Sequence, residues 1–86
     1  MPKHEDFLRR LLSGQADANI AFDDLCSLLK RLGFAERVRG GHHIFTQDGI
    51  LEIINLQPAH SKAKPYQVKQ VRNLLREYRL DKERGQ

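Results

Sequence analysis

Gly40-Gly41-His42-His43-Ile44-Phe45 lies at the centre of the chain, and its local structure decides the layout of the rest. The glycine pair allows a tight two-residue turn, and the residues after it are short and β-prone. Because strand side chains alternate between two faces, His42 and Ile44 share one face while His43 and Phe45 share the other. If the aromatic Phe45 marks the face that packs under helices, His42 projects from the open face.

Two further strand-like segments flank this stretch. Residues 34–39 precede the glycine pair, and residues 50–56, which are rich in β-branched side chains, follow an Asp48-Gly49 turn. With residues 42–47 between them, they predict an antiparallel meander of three strands. A sheet of three short strands is too small to be stable alone, so we expect helices to cover one of its faces.

Apolar residues at helical spacing supply those helices. They predict a first helix over residues 5–12 and a second from Phe22 to Leu32, ended by Gly33. Pro65 suits the first turn of a last helix over residues 66–78, while the polar, proline-containing residues 57–65 predict a loop without helix or sheet. The fold class is therefore α+β: a three-stranded antiparallel sheet covered on one face by two helices, in the order α-β-β-β-α, with an extra N-terminal helix.

The length and charge of the chain limit its function. Its 86 residues suffice for one domain with a small core. The formal net charge of +4 and sequence pI of about 9.6 suit a polyanionic partner, without choosing between RNA, DNA and an acidic protein. No apolar run reaches the roughly 20 residues that span a bilayer, and the charged start lacks the apolar stretch of a secretory signal. We therefore expect a cytoplasmic protein that does not act at a membrane.

Cysteine and histidine usage argues against metal and cofactor chemistry. The single cysteine, Cys26, lies between Leu25 and Leu28 in a helical pattern, which indicates a buried thiol rather than a nucleophile. The histidines, at positions 4, 42, 43 and 60, match none of the usual zinc-ligand spacings. Phosphate-loop, serine-nucleophile and dinucleotide motifs are absent too. The sequence thus predicts no metal, no cofactor and no small-molecule substrate.

The order of elements and three motifs resemble the HicA family of small bacterial toxins. The motifs are the Gly40-Gly41-His42-His43 strand start, the Pro58-Ala59-His60 element after the third strand and the basic last helix. The resemblance covers roughly residues 22–80. It implies a fold like that of double-stranded RNA-binding domains, metal-independent cleavage of mRNA by one histidine, and inhibition by a HicB antitoxin.

Carried onto this sequence, the resemblance assigns the catalytic role to His42, with His43 as the alternative if the motif is aligned one residue later. Gly40 matches the motif glycine, whereas Gly41 stands where serine is frequent. On this interpretation residues 1–21 are an N-terminal helical extension, 22–80 the RNA-cleaving domain and 81–86 a flexible tail. The extension could pack on the domain, contact the antitoxin or mediate self-association.

The residues themselves fit this chemistry, because RNA cleavage needs a base for the 2′-hydroxyl, cations at the phosphate and a proton for the leaving oxygen. A free imidazole, with a pKa of about 6.5, can act as the base. His60 is a possible accessory residue as proton donor. The predicted RNA-binding residues occupy the hairpin, the loop and the last helix: Gly40, Gly41, Arg37, Arg39, Lys62, Lys64, Lys69, Arg72 and Arg76.

Other functions stay open from the sequence alone. The chain could be an RNA-binding module of the same shape without a catalytic step, in which His42 contacts a phosphate. It could also be a protein-interaction subunit whose open sheet face pairs with an acidic partner. A helical stripe of cations such as Lys69, Arg72 and Arg76 is a merely solvated face in most proteins.

Overall fold

A computed structural model of the protein describes residues 3–80, with side chains from Glu5 onward. The elements are, in chain order, α1 (Lys3–Ser13), α2 (Phe22–Arg31), β1 (Ala35–Arg39), β2 (His42–Gln47), β3 (Ile50–Leu56) and α3 (Pro65–Glu77), with a 3₁₀ turn, Asp17–Asn19, between α1 and α2. This order confirms the predicted α+β fold with an N-terminal helix before α-β-β-β-α. The predicted flexible tail, 81–86, lies outside the described residues.

The strands form an antiparallel sheet in the order β1-β2-β3. β1 and β2 are joined by a two-residue turn whose glycines, Gly40 and Gly41, both have positive φ, at 52° and 85°. This conformation suits a type I′ turn, whose twist matches that of a hairpin. Arg39 therefore pairs with His42, and a bulge near the other end of β2 lies between Phe45 and Gln47.

One face of the sheet packs against α2 and α3 and builds the core. Phe45, Ile54 and Leu56 have no exposed surface. They meet fully buried side chains from the two helices, among them Leu25, Leu28, Leu29, Val68, Val71 and Leu75. The predicted orientation of β2 is confirmed, because Phe45 lies under the helices and His42 lies on the exposed face.

Local signals set the helix ends close to the predicted positions. α2 ends at Arg31, and Gly33 follows with a φ of 103°, a left-handed conformation that glycine adopts without strain. α3 begins at Pro65 itself, one residue earlier than predicted, because proline needs no hydrogen-bond acceptor in the first turn. Cys26 is buried, as predicted. In the described part of the chain no helix has the length and apolar character needed to cross a membrane.

The N-terminal helix packs on the domain, which is one of the three roles left open by the sequence. Leu8 and Leu11 of α1 belong to the same buried cluster as the side chains of α2 and α3. α1 begins at Lys3 rather than at residue 5, and it ends at Ser13, just before Gly14 with a φ of 75°. The core therefore extends beyond the α-β-β-β-α unit.

The loop between β3 and α3 is more ordered than predicted. The backbones of Ala59 and Lys62 bond to each other in both directions, with N···O distances of 2.8 and 3.1 Å. His60 and Ser61 form the turn between them, with φ values of 54° and 70°. The loop is also tied to the start of α2, since the Phe22 amide donates to the carbonyl of Ser61 at 3.0 Å. The segment forms no helix or strand, as predicted, but it carries isolated β-bridges from Lys62 to Ala59 and to Ala21. The bridge to Ala21 was not predicted because this partner is distant in the chain, which composition does not reveal.

Candidate active site on the open sheet face

The uncovered face of the sheet combines cations, one imidazole and exposed apolar side chains. Strand alternation and register place these residues on it: Arg37 and Arg39 from β1, His42, Ile44 and Thr46 from β2, and Leu51, Ile53 and Asn55 from β3. We call this set the open face. Arg37, Arg39 and His42 lie near the turn from β1 to β2, and Asn55 lies beside His42. The exposed large apolar side chains of the open face, Leu51 and Ile53, lie on β3.

His42 lies at the polar end of the open face with its ring held in one orientation. Its Nδ1 lies 3.1 Å from the amide oxygen Oδ1 of Asn55. Asn55 pairs with Ile44, so it is the diagonal neighbour of His42 on the same face. An amide oxygen only accepts hydrogen bonds, so the neutral imidazole donates from Nδ1 and keeps its lone pair on Nε2. A lone pair on an exposed ring nitrogen is what a general base requires.

Two arginines flank this imidazole. Arg39 is the direct cross-strand partner of His42, and Arg37 is that of Ile44, so both lie on the same face as the ring. Both side chains are exposed. At Gly40 and Gly41 an added Cβ would meet nothing within 4 Å, so the turn is open to solvent on both residues. The structure therefore brings Arg37, Arg39 and the glycine pair together with His42.

His43 faces the opposite way and is committed to the helix side. Its Nδ1 lies 2.7 Å from Oε2 of Glu36, and its ring packs edge-on against Phe22 with centroids 4.8 Å apart. The hydrogen bond from His43, aided by Lys30 at 3.3 Å from Oε1, lowers the pKa of Glu36 below its usual value. Of the two histidines, only His42 is presented on the open face.

The loop residues lie at the same end of the molecule. The carbonyl of Ser61 accepts a hydrogen bond from the backbone amide of Phe22. The ring of Phe22 contacts the ring of His43, which is the second residue of β2. His60 is exposed at the tip of the loop turn. Lys62 is exposed and donates from Nζ to Oδ1 of Asn19 at 2.8 Å, while Lys64 is half-buried before the first turn of α3.

The three predicted cations of α3 differ in their surroundings. Lys69 and Arg76 are both exposed. Arg76 also donates a hydrogen bond to the carbonyl of Leu12 at 2.9 Å. Arg72 is only 9% exposed and forms a two-pronged ion pair with Asp17, at 2.8 and 3.1 Å. The predicted exposed stripe is therefore wrong for Arg72, because the segment after α1 covers it. α3 lies on the covered side of the sheet, away from the open face.

Sequence reasoning missed Asn55. Alternation within residues 50–56 places its side chain on the same face as Ile53, but only the register between β2 and β3 brings it beside His42. It also missed Glu36, whose contact with His43 depends on the register between β1 and β2. The contacts of His42 with Asn55 and of His43 with Glu36 both depend on the strand register, which the residue types alone did not determine.

The chain is thus a small α+β domain whose three-stranded sheet has one open face, with an exposed imidazole beside a glycine turn. A family profile, HicA toxin of bacterial toxin-antitoxin systems, matches residues 22–79, which is more than half of the chain. The chain belongs to the HicA toxin family. No curated protein and no solved structure matches it. Family membership supports a toxin role and implies an antitoxin partner.

Proposed function

We propose that this protein is the toxin of a toxin-antitoxin pair and acts as a metal-independent endoribonuclease on mRNA, with His42 as general base. The observation that carries the proposal is the His42 ring, which is exposed on the open face with Nδ1 bonded to Asn55. Membership of the family supports the toxin role, and the geometry of His42 supports its assignment as the base. The domain carrying the reaction is the HicA-like part of the chain, residues 22–80.

The proposed reaction uses the ribose as its own nucleophile. Nε2 of His42 takes the proton of the 2′-hydroxyl, and the resulting oxygen attacks the adjacent phosphorus. The bond from phosphorus to the 5′-oxygen breaks, and that oxygen takes up a proton, for which His60 is the accessory donor. The products are a 2′,3′-cyclic phosphate and a 5′-hydroxyl. General base catalysis of this kind contributes about 10² to 10⁴ in rate.

The cations beside the base hold the phosphate. Arg39 and Arg37 lie next to His42 across the hairpin, so they can stabilise the charge that develops during attack. Lys62 and Lys64 extend the positive surface along the loop toward α3, and Lys69 and Arg76 contribute more distant charge. We leave Arg72 out of this surface because it is paired with Asp17. RNA bound in this way is held through its backbone, whatever its sequence.

The partner that we propose is a HicB-like antitoxin that covers the open face. Leu51 is 92% exposed and Ile53 is 61% exposed, and both share this face with His42. Neighbouring exposed apolar side chains are typical of a surface that another protein buries. An acidic antitoxin would also match the arginines and bind faster for that reason. Because the substrate is mRNA, we assign the activity to the cytoplasm.

The exposed apolar side chains also favour a second candidate, a protein-interaction subunit that does not cleave RNA. In that case Leu51 and Ile53 would carry the function and His42 would be incidental. A non-catalytic RNA-binding module would instead depend on Arg37 and Arg39. Both alternatives leave a cell's messages intact.

Expression in a bacterial host tests the proposal. The native protein should arrest growth with loss of full-length mRNA, and co-expression of a HicB-like antitoxin should restore growth. His42→Ala at equal protein level should permit normal growth, while His4→Ala, a matched removal of an imidazole near the N-terminus, should remain toxic. Arrest by His42→Ala equal to that of the native protein would contradict the role of this residue. Arrest with intact mRNA would favour the non-cleaving alternatives.

A further inference from the structure

A cysteine, a glutamate and a histidine meet on the covered side of the sheet, away from the open face. Cys26 comes from α2, Glu36 from β1 and His43 from β2. One ligand atom from each, a thiol sulfur, a carboxylate oxygen and a ring nitrogen, lies within 4.8 Å of the other two. Cys26 is buried, and the other two are half-buried, so the cluster is screened on one side and reachable on the other.

We propose that Cys26, Glu36 and His43 form a zinc site that is distinct from the RNA-cleaving site. Sulfur, nitrogen and carboxylate oxygen are the atoms that bind Zn²⁺ in proteins, and three protein ligands with an open fourth position are a common arrangement. Bond lengths of about 2.0 to 2.3 Å around a tetrahedral ion separate ligand atoms by roughly 3.5 Å. The longest separation in the cluster, up to 4.8 Å, would therefore have to shorten by about 1 Å, whereas the 2.7 Å between Nδ1 of His43 and Oε2 of Glu36 would have to lengthen. Rotation of the side chains is the movement that both changes require.

The present contacts are compatible with metal entry. Nδ1 of His43 and Oε2 of Glu36 are 2.7 Å apart and share a hydrogen. When the ion takes the place of that hydrogen on Nδ1, the imidazole stays neutral by carrying its proton on Nε2 instead. Lys30, at 3.3 Å from Oε1 of Glu36, is the competing cation; its side chain is 54% exposed and free to turn into solvent. On binding, the sulfur of Cys26 loses its proton to the solvent, because a metal-bound thiol ionises.

The site would connect α2 to β1 and β2, on the face of the sheet opposite to His42. His43 precedes Ile44 and follows His42, so a bound ion would fix the start of β2. A ligand that binds only the folded state stabilises it in proportion to its occupancy. Zinc binding would therefore make the melting temperature depend on zinc concentration. This inference does not depend on the proposed RNA cleavage.

Cobalt substitution tests the site in the tag-free, metal-stripped protein. Titration with Co²⁺ should give a one-to-one complex with a sulfur-to-cobalt charge-transfer band, and Zn²⁺ should displace the cobalt. Zinc at about 100 times its dissociation constant should raise the melting temperature by roughly 10 to 20 °C. Cys26→Ser should remove the charge-transfer band, and Glu36→Gln and His43→Gln should each weaken binding at least tenfold.

The control is His42→Gln, which removes the neighbouring imidazole on the opposite face and should leave cobalt binding unchanged. Circular dichroism of each variant verifies that it is folded. His43→Gln, which changes the most exposed of the three side chains, at 25% against 17% for Glu36, remains informative if Cys26→Ser unfolds the chain. Absence of a one-to-one complex in the native protein would overturn the proposal. Native affinity in both Glu36→Gln and His43→Gln, or loss of binding in His42→Gln, would also overturn it.

Discussion

In the proposed mechanism Asn55 positions His42, because its amide oxygen accepts the hydrogen bond from Nδ1 and leaves the lone pair on Nε2. The Nδ1···Oδ1 contact of 3.1 Å joins two exposed side chains on the open face. A single exposed hydrogen bond of this kind stabilises the fold by only about 1 kcal/mol. Its importance therefore lies in orientation rather than in folding.

Asn55→Asp should keep the hydrogen bond but change the pH dependence of RNA cleavage. A carboxylate beside the ring favours the protonated imidazole, so a higher pH is needed to obtain the free base. The acidic limb of the pH–rate profile should therefore move to higher pH, while Asn55→Ala should lower the rate about tenfold through loss of orientation. Single-turnover cleavage from pH 5 to 9 measures both effects. An unchanged acidic limb in Asn55→Asp would contradict the positioning role.

Glu36 should make folding stability depend on pH. Its pKa is lowered in the folded state, first by the hydrogen bond from His43 and then by Lys30. A lowered pKa contributes stability at pH values above the unfolded value, about 4.3, and this contribution is lost as the pH falls through the folded value. Glu36→Gln should therefore cost about 1 kcal/mol near pH 7 and almost nothing near pH 2.

Urea unfolding of both proteins at several pH values tests this prediction. Asp48→Asn is the matched control, because it neutralises an exposed carboxylate in a turn where asparagine fits equally well. Its effect on the free energy of unfolding should stay within about 0.5 kcal/mol. A cost for Glu36→Gln that is as large at pH 2 as at pH 7 would exclude the ionic origin.

At the scale of elements, α1 is part of the folded core although it precedes the family match. Leu11 has no exposed surface and packs in the cluster shared with α2 and α3. Leu11→Ala should lower the free energy of unfolding by about 2 to 4 kcal/mol through lost burial and the cavity left behind. Leu51→Ala is the matched control, since Leu51 is 92% exposed and the change should cost less than about 0.5 kcal/mol.

Denaturant unfolding measures both variants. If Leu11→Ala cost no more than Leu51→Ala, α1 would not belong to the core. The variants Leu11→Ala and Leu51→Ala also distinguish an effect on folding from an effect on antitoxin binding. Leu51→Ala should weaken antitoxin binding without loss of stability, because Leu51 lies on the open face.

The sequence predicted the elements well and the side-chain partners poorly, and the reason differs between the two. Glycine turns and alternation fixed the bounds of β2 and β3, and the orientation of His42 followed from the position of Phe45. Arg72 was misplaced because its partner, Asp17, lies 55 positions away in the chain. Helical spacing alone does not reveal that a distant segment covers one side of a helix. Asn55 was missed for the same kind of reason.

At the scale of the whole molecule, the net charge of +4 does not act evenly, because some cations are paired within the fold and others are exposed, where we propose that they bind RNA. Arg39 belongs to the second group and Arg72 to the first. In a His42→Ala background, which keeps the RNA intact, Arg39→Ala should lower the slope of log affinity against log salt by about 0.7 to 1. Arg72→Met should leave that slope unchanged.

The same two variants should differ in stability. Arg72→Met leaves Asp17 without its ion-pair partner and should cost about 2 kcal/mol, whereas Arg39→Ala removes an exposed side chain and should cost under about 0.5 kcal/mol. RNA titrations over a range of salt concentrations and urea unfolding supply the measurements. If the slope of log affinity against log salt fell equally in Arg39→Ala and Arg72→Met, the assignment of Arg39 to RNA binding and Arg72 to folding would be contradicted.

The most direct measurement is cleavage of a purified mRNA in the presence of a metal chelator, comparing the native protein with His42→Ala. The native protein should produce fragments with 5′-hydroxyl ends, and His42→Ala should be slower by about 10² to 10⁴ while it still binds the RNA. Cleavage by both proteins at the same rate, or by neither of them, would contradict the assignment of His42 as the base.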